Sequence, residues 1–183
     1  LKAVNLALAN QHDNALEIFE IIIKDKKIEN NQLHLSYGHT LRAVGRIEEA
    51  IVSYKKAIST KTGYGEAYWS LANLKTYKFT DEDINELKAL LNNNDCKIDD
   101  YYHLLFALGK AEEDRKNFES AMAAYSKGNT IKSKQVPWDA IKFTNECNEL
   151  IDFFTEEQLR SFDGVGNKNT DPIFVVGLPR SGS

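Results

Sequence analysis

Small and aromatic residues recur along this chain at a spacing that repeats. Four positions follow one another in steps of 12, 4 and 3 residues, and this series occurs three times: Ala3, Ala15, Phe19 and Ile22; Gly38, Ala50, Tyr54 and Ala57; Gly109, Ala121, Tyr125 and Gly128. Steps of 3 and 4 place residues on one face of a helix. The step of 12 carries the chain up one helix, around a turn such as Gly45-Arg46, and into the next. The pattern therefore predicts pairs of helices that meet through small residues.

The surrounding hydrophobic positions predict helices throughout the first 162 residues. The expected spans are 1–9, 13–24, 31–43, 47–59 and 65–77, then a helix with Thr80 as its N-cap, a pair within 100–132, and helices over 137–154 and 155–162. Acidic residues 81–83 fit the first turn of the Thr80 helix, and residues 92–95 read as a polar turn. The predicted fold class is all-α.

The helix pairs share one register. The intervals between the small positions Ala3, Gly38, Ala72 and Gly109 are 35, 34 and 37 residues. A period near ~34 residues with two helices per period is typical of the tetratricopeptide repeat. Residues 1–132 thus resemble that family, which implies a helix-turn-helix solenoid wound as a right-handed superhelix. The alternative is a bundle of unrelated amphipathic helices.

The domain boundaries follow from this register. Repeat units are expected at 1–30, 31–64, 65–99 and 100–132. The first is expected to lack part of its N-terminal helix. The third lacks the small–aromatic–small spacing in its second half. A solenoid needs a cap over its last exposed face, so residues 133–162 are predicted to form capping and linker helices. Residues 163–183 are predicted to be a linker, followed by the start of another domain.

Composition narrows the functional classes. The net charge of −4 and the pI near 5.6 argue against nucleic-acid binding, which needs a basic face. No apolar run is long enough to cross a membrane, and the N-terminal residues do not form a signal peptide. Cys96 and Cys147 have no metal-type spacing; a disulfide between them is one alternative, but two cysteines in a helical repeat protein suit a reducing cytoplasm. The four histidines also lack the spacing of metal ligands, so no metal site is expected.

The last residues differ from the repeats. Residues 173–176, IFVV, form a continuous apolar run between Pro172 and Gly177, which predicts a short buried β-strand. The glycine-rich turn that follows offers backbone N–H groups to a phosphate. Gly177 and Gly182 have the spacing of a nucleotide P-loop, but Ser183 stands where that motif requires Lys. A P-loop ATPase or GTPase is therefore disfavoured, and a tag-derived or disordered tail is a further alternative.

The stretch PIFVVGLPRSGS resembles the start of the sulfotransferase catalytic domain, where a strand leads into a loop of the form P-[RK]-S-G-[ST]. The resemblance implies that Arg180, Ser181, Gly182 and Ser183 bind the 5′-phosphosulfate of 3′-phosphoadenosine 5′-phosphosulfate (PAPS). A repeat array ahead of this loop resembles the repeat-containing sulfotransferases of bacteria. The family's base and its 3′-phosphate loop would lie beyond Ser183, so these 183 residues are expected to be catalytically inactive.

The tetratricopeptide resemblance also implies a groove lined by the first helix of each unit. Its candidate binding residues, called here the predicted groove, are His39, Arg42, Trp69, Asn73, Tyr77, His103, Phe106 and Lys110. Aromatic anchors with a few polar groups suit a protein or peptide ligand. Trp69 is equally compatible with a core position.

Two functions stay open at this point. The first is a protein-interaction module within a PAPS-dependent sulfotransferase, whose repeats recruit the acceptor or mediate a homodimer. The second is a free-standing repeat scaffold with no enzymatic domain.

Overall fold

A computed structural model describes residues 2–25, 30–74, 76–93 and 96–165. Every regular element within these residues is a helix, which confirms the all-α prediction for this part of the chain. The helices are α1 (Lys2–Leu8), α2 (His12–Asp25), α3 (Asn31–Ala43), α4 (Ile47–Thr60), α5 (Gly65–Ala72), α6 (Asp81–Leu91), α7 (Ile98–Asp114), α8 (Phe118–Gln135), α9 (Ala140–Phe153) and α10 (Glu156–Ser161). The predicted strand at 173–176 and the loop that follows lie outside the described residues.

The chain divides into two compact units, Leu1–Pro137 and Trp138–Ser183. The first unit contains α1 to α8, in which α1 packs against α2, α3 against α4 and α7 against α8, whereas α5 packs chiefly against α7. Its core has two clusters of buried side chains, one around Ala3 and Phe19 and a larger one from Leu16 to Ala111. Tyr37 packs against both clusters, and its ring centroid is 5.8 Å from that of Phe19. The core of this unit is therefore continuous from the first pair onward.

Glycines at two corresponding positions allow helices to approach closely. A Cβ atom on Gly38 would lie 2.6 Å from Cε1 of Tyr54, and one on Gly109 would lie 2.5 Å from the ring of Tyr125. Both glycines lie 16 residues before the tyrosine that covers them, as the repeated steps predict. The turn predicted at Gly45 is also present, with φ of +81°, a conformation that favours glycine.

The third helix pair differs from the prediction. Its first helix, α5, ends at Ala72, whereas the sequence pattern continued to Tyr77, so that prediction was wrong by five residues. The second helix, α6, begins as predicted with Thr80 as N-cap, and a reciprocal capping box links Thr80 with Asp83. Ile84 and Leu87 supply the buried side of α6. This pair thus reaches the core without the covering tyrosine found in the second and fourth pairs.

One carboxylate joins α5 to α7. The backbone N–H of Gly65 donates to Oδ1 of Asp100 at 2.9 Å, and Lys61 Nζ donates to Oδ2 at 2.8 Å. A Cβ atom on Gly65 would lie 2.1 Å from the carbonyl oxygen of Asp100, so only glycine fits this contact. The first turns of α5 and α7 are therefore held in direct contact.

A short non-helical stretch precedes α9 at the start of the second unit. The sequence predicted a helix from Pro137, but α9 begins at Ala140, where Asp139 accepts a hydrogen bond from the backbone N–H of Lys142. Thr155 caps α10 as predicted, by accepting from the N–H of Gln158 at 3.2 Å. No residue of α9 or α10 is buried. The capping role assigned to this region stays a prediction.

Candidate functional site

An aromatic pair lies at the junction of α5 and α7. The ring centroids of Trp69 and Phe106 are 5.4 Å apart and the rings are inclined by 46°. Both side chains are half-buried, so one face of each ring packs inward while part of the ring reaches solvent. Phe106 also lies above Gly128 of α8, where an added Cβ would be 3.2 Å from the ring. Exposed aromatic surface on a rigid support is what an interaction site uses as an anchor.

The cation predicted next to this pair has a carboxylate partner. Lys110 forms an ion pair with Oδ1 of Asp114, four residues later on α7. Lys78 reaches the same oxygen at 2.7 Å. Burial raises the pKa of Asp114, but hydrogen bonds from Lys110 and Lys78 outweigh it and hold the pKa below its ordinary value. Asp114 was not among the residues of the predicted groove, although its i,i+4 spacing from Lys110 was a visible signal.

On α3, one ring nitrogen of His39 has a hydrogen-bond partner, and the imidazole is uncharged. Its Nδ1 lies 3.0 Å from the hydroxyl of Tyr54, whose side chain is fully buried. Burial, and then the neighbouring guanidinium of Arg42, lower the pKa of His39 to about 4. The imidazole is therefore neutral at pH 7. The side chain of Arg42 is exposed and brings a positive charge to this part of the predicted groove.

His103 and Asn73 occupy the remaining predicted positions. His103 packs against Tyr102, with ring centroids 4.3 Å apart. Burial lowers the pKa of His103, although the carboxylate of Glu66 opposes the shift. Asn73 is exposed at the C-terminal cap of α5. These two residues flank the aromatic pair on α7 and α5 respectively.

Tyr77 does not belong with these residues. Because α5 ends at Ala72, the helical spacing that grouped Tyr77 with Trp69 and Asn73 does not continue. Its hydroxyl donates to Oδ2 of Asp83 on α6 at 2.8 Å, and Nζ of Lys55 on α4 lies 5.0 Å from its ring centroid. The structure thus places Tyr77 against α4 and α6, and its assignment to the predicted groove is corrected.

The predicted donor-binding residues Arg180, Ser181, Gly182 and Ser183 lie outside the described residues. In the part of the chain that the structure describes, no group of three or more His, Cys, Asp or Glu side chains is arranged to hold a metal ion. No described helix is both long and apolar enough to span a membrane. The candidate site within the described residues is therefore a surface of aromatic and polar side chains suited to contact with another macromolecule.

Comparison with known proteins identifies one of the predicted units. The family model of the tetratricopeptide repeat matches residues 32–64, which coincide with the predicted second unit. A tetratricopeptide repeat is therefore present, and such repeats mediate protein–protein interactions. This supports a protein-interaction module. None of these comparisons links the chain to a sulfotransferase.

A relative and a solved structure are also similar to the chain. An uncharacterized protein of Aquifex aeolicus (strain VF5) is 29% identical over 145 residues, which are 79% of this chain and 19% of that protein. The chain thus spans about a fifth of the length of that relative. The crystal structure of MamA aligns with 73% of this chain and 96% of its own chain, at 20% sequence identity and a TM-score of 0.39.

Proposed function

We propose that this chain binds an extended peptide segment of another protein through the exposed sides of α3, α5 and α7. This inner surface consists of His39, Arg42, Trp69, Asn73, His103, Phe106 and Lys110. The observation that carries the proposal is the half-buried pair of Trp69 and Phe106, contributed by two neighbouring helix pairs. Large aromatic side chains on a rigid support supply most of the binding energy at many interfaces.

The charges of the inner surface favour a ligand with an apolar anchor residue. Lys110 shares the carboxylate of Asp114 with Lys78, so this cluster keeps one positive charge, whereas His39 is neutral at pH 7. Arg42 is exposed and can receive a carboxylate beside the anchor. We therefore expect the ligand to insert an apolar or aromatic side chain against Trp69 and Phe106, with an acidic residue toward α3.

Selection from a random peptide library tests this proposal. Peptides enriched on the wild-type chain should lose at least about tenfold in affinity for Trp69→Ala, because a truncated aromatic anchor costs about 1–2 kcal/mol or more. Fluorescence anisotropy of the labelled peptides gives the affinity of the wild type and of Trp69→Ala alike, because it needs no tryptophan in the protein.

Val52→Ala is the matched control, since Val52 is an exposed apolar residue on α4 and lies outside the inner surface. Circular dichroism must show that Trp69→Ala keeps its helices. The proposal fails if the folded variant retains the wild-type affinities. It also fails if Trp69→Ala unfolds the array, because Trp69 is then a packing residue.

We further propose that this chain is part of a PAPS-dependent sulfotransferase. The support is the stretch 172–183, in which Arg180 to Ser183 match the family's phosphosulfate loop. The repeats would recruit the sulfate acceptor or mediate a homodimer, and the present 183 residues would be inactive alone. The two free thiols, Cys96 and Cys147, support a reducing cytoplasmic setting for the proposal. The alternative is a free-standing repeat scaffold.

The coding sequence after Ser183 separates these two alternatives. A sulfotransferase should continue with an apolar helix and, later, a serine-containing loop for the 3′-phosphate of PAPS. The extended protein should then bind radiolabelled PAPS, and Arg180→Ala should weaken that binding about tenfold or more, since a charge-assisted phosphate contact is lost. A stop codon shortly after Ser183 would refute the enzyme proposal while leaving the peptide-binding proposal intact.

A further inference from the structure

Two clefts in the first unit are built from residues at the same positions of different repeats. The first outer cleft lies between α2 and α4 over α3 and has a volume of about 340 Å³; the second outer cleft lies between α6 and α8 over α7, with about 450 Å³. Residues at equivalent positions line them, each pair 71 residues apart: His34 and Leu105, Tyr37 and Leu108, Val52 and Ala123, Lys56 and Lys127. The repeat register therefore produces the same concavity twice.

Between these clefts, the corresponding space is occupied by the chain itself. After α5 ends at Ala72, Tyr77 contacts Lys55 on α4 and Asp83 on α6. The ring of Phe79 meets the ring of Tyr77 edge to face at 5.0 Å, and Phe79 is only 8% exposed. An extended segment with two aromatic side chains thus lies against α4 and α6.

The position beneath this segment confirms the correspondence. Tyr68 on α5 is 34 residues after His34 and 37 before Leu105, the same intervals that separate Gly38, Ala72 and Gly109. Burial raises the pKa of the Tyr68 phenol most, and interactions with Glu86, Asp83 and Tyr77 raise it further. Tyr68 thus holds the position between α4 and α6 that corresponds to the floor of the two outer clefts, and it is only 2% exposed.

The second outer cleft has an apolar floor and a cationic rim that suit such a segment. Among the described residues, no segment of its own repeat fills it. Leu105 and Leu108 form an apolar floor, and Lys127 lies on its rim. Nζ of Lys127 is 2.6 Å from the hydroxyl of Tyr101 and 5.1 Å from its ring centroid. Within the described part of the chain, Lys127 contacts no carboxylate. A cation without an acidic partner, beside an apolar floor, favours an acidic residue next to the inserted side chain.

We propose that the second outer cleft binds an extended segment of a partner protein that carries an aromatic side chain close to a carboxylate. The aromatic ring would lie on Leu105 and Leu108, as Tyr77 and Phe79 lie between α4 and α6, and the carboxylate would pair with Lys127. This surface is separate from the inner surface, because it faces α6 and α8 and includes neither Trp69 nor Phe106. The chain would then hold two partners, or two parts of one partner, at the same time.

The chain's own segment provides the probe. Residues 76–83, TYKFTDED, made as a labelled synthetic peptide, contain two aromatic residues followed by acidic ones. Titrated into the full 183-residue chain, this peptide should bind saturably and shift the amide signals of Leu105 and Ala123. The same peptide with Tyr77→Ala and Phe79→Ala should bind at least about tenfold more weakly, since its anchors are removed.

Two matched variants assign the binding to the cleft. Ala123→Phe fills the second outer cleft from an exposed position and should lower the affinity about tenfold or more. Val52→Phe makes the equivalent change in the first outer cleft and should change the affinity less than about twofold, because Glu48 and Glu49 line that cleft and repel the acidic peptide. Lys127→Ala should weaken binding about two- to fivefold, as expected for loss of an exposed ion pair.

Three outcomes would overturn the proposal. The first is no binding at roughly 1 mM peptide, a concentration at which even a weak site is half filled. The second is a folded Ala123→Phe variant with wild-type affinity. The third is a protein that self-associates and becomes monomeric on Ala123→Phe, since the occupant would then be a second copy. Trp69→Ala should leave the peptide's affinity unchanged, so this result is independent of the inner surface.

Discussion

Gly38 lies where a side chain has no room. A Cβ atom would stand 2.6 Å from Cε1 of Tyr54, whose ring is fully buried and cannot move aside without disturbing α3 and α4. The close approach also lets the Tyr54 hydroxyl reach Nδ1 of His39 at 3.0 Å. Tyr54 thus contacts both Gly38, which lets the helices pack closely, and His39, which lies on the inner surface.

Gly38→Ala is therefore expected to destabilise the first unit by about 1–3 kcal/mol, the usual cost of overpacking. The higher helix propensity of alanine would otherwise stabilise α3 by up to about 1 kcal/mol. Urea unfolding followed by circular dichroism measures the net effect. Asn129→Ala, at an exposed position of α8, serves as the control. A gain in stability for Gly38→Ala would contradict the packing seen at Tyr54.

His39 gives the fold a specific dependence on pH. Burial lowers its pKa to about 4, whereas an ordinary histidine in the unfolded chain titrates near 6.5. Between these values the unfolded state binds the proton more tightly, so stability is complete above pH 6.5 and falls as the pH drops toward 4. Allowing for partial exposure, His39 should account for about 2 kcal/mol of that loss.

His39→Gln should remove this part of the pH dependence. The free energy of unfolding in urea, compared at about pH 7 and about pH 4.5, should fall less for the variant than for the wild type by about 2 kcal/mol. Tyr54→Phe is the matched control: it removes the hydrogen bond but keeps the imidazole buried, and burial is the main cause of the shift. Equal pH profiles for His39→Gln and the wild type would exclude His39 as the titrating group.

At the scale of the helices, Asp100 has a role that its sequence position does not reveal. Its two carboxylate oxygens accept from the N–H of Gly65 and from Lys61, which are 35 and 39 residues away. The N–H of Gly65 has no carbonyl partner within α5, because it belongs to the first turn of the helix. Asp100 therefore acts as a cap for one helix from the beginning of another.

Asp100→Ala should cost about 1–3 kcal/mol, since it leaves a part-buried N–H and an ammonium without their acceptor. Asp100→Asn keeps one acceptor oxygen and should lose less. Asp99→Ala is the neighbouring control, because Asp99 is exposed and its carboxylate accepts from the exposed side chain of Gln135 at 3.0 Å. If the Asp99 and Asp100 variants unfold at the same urea concentration, the link between α5 and α7 contributes no measurable stability.

The helix boundaries show what a local pattern can and cannot predict. For α3 the predicted and observed spans agree, because its ends are marked by Asn30, which accepts from the N–H of Leu33, and by the turn at Gly45. The end of α5 was missed because the spacing of Trp69, Asn73 and Tyr77 is helical. What ends α5 early is the burial of aromatic side chains between α4 and α6, a contact between elements that no local window contains.

Across the whole molecule, charge is divided unevenly between the two units. Leu1–Pro137 contains 19 Lys and Arg and 19 Asp and Glu, whereas Trp138–Ser183 contains four and eight, so the net charge of −4 belongs to the second unit. The inner surface and both outer clefts thus lie on a unit without net charge. Ligand binding there should depend on fitted aromatic contacts more than on long-range attraction, and should respond weakly to salt.

The candidate surfaces were predictable to different degrees. The residues of the inner surface were assigned from the repeat register, since each first helix presents the same face, and their role in binding stays a prediction; Tyr77 lies against α4 and α6 instead. The neutral state of His39 and the pairing of Lys110 with Asp114 required three-dimensional burial and distance. The outer clefts were not predicted at all. They become recognisable only when the filled position at Tyr77 and Phe79 is compared with the two open ones.

The core of the repeats should not require the second unit. Both clusters of buried side chains lie within Leu1–Pro137, between Ala3 and Ala111. We therefore expect residues 1–137 alone to keep the helical signal of α1–α8 and to unfold cooperatively in urea. The second unit also exposes large apolar side chains, with Trp138 at 72% and Ile141 at 76%. Its removal should reduce any concentration-dependent association, because exposed apolar patches promote self-contact.

The same fragment tests the predicted cap, when it is measured beside the full chain and a 1–162 fragment that retains α9 and α10. A terminal repeat without its cap loses stability first, because repeat proteins are held together by contacts between neighbouring units. If residues 137–154 are a cap, α7 and α8 should exchange their amide hydrogens faster in the 1–137 fragment than in the 1–162 fragment. Equal exchange rates in both would show that the fourth repeat is complete without α9, and that the apolar side of α9 serves another contact.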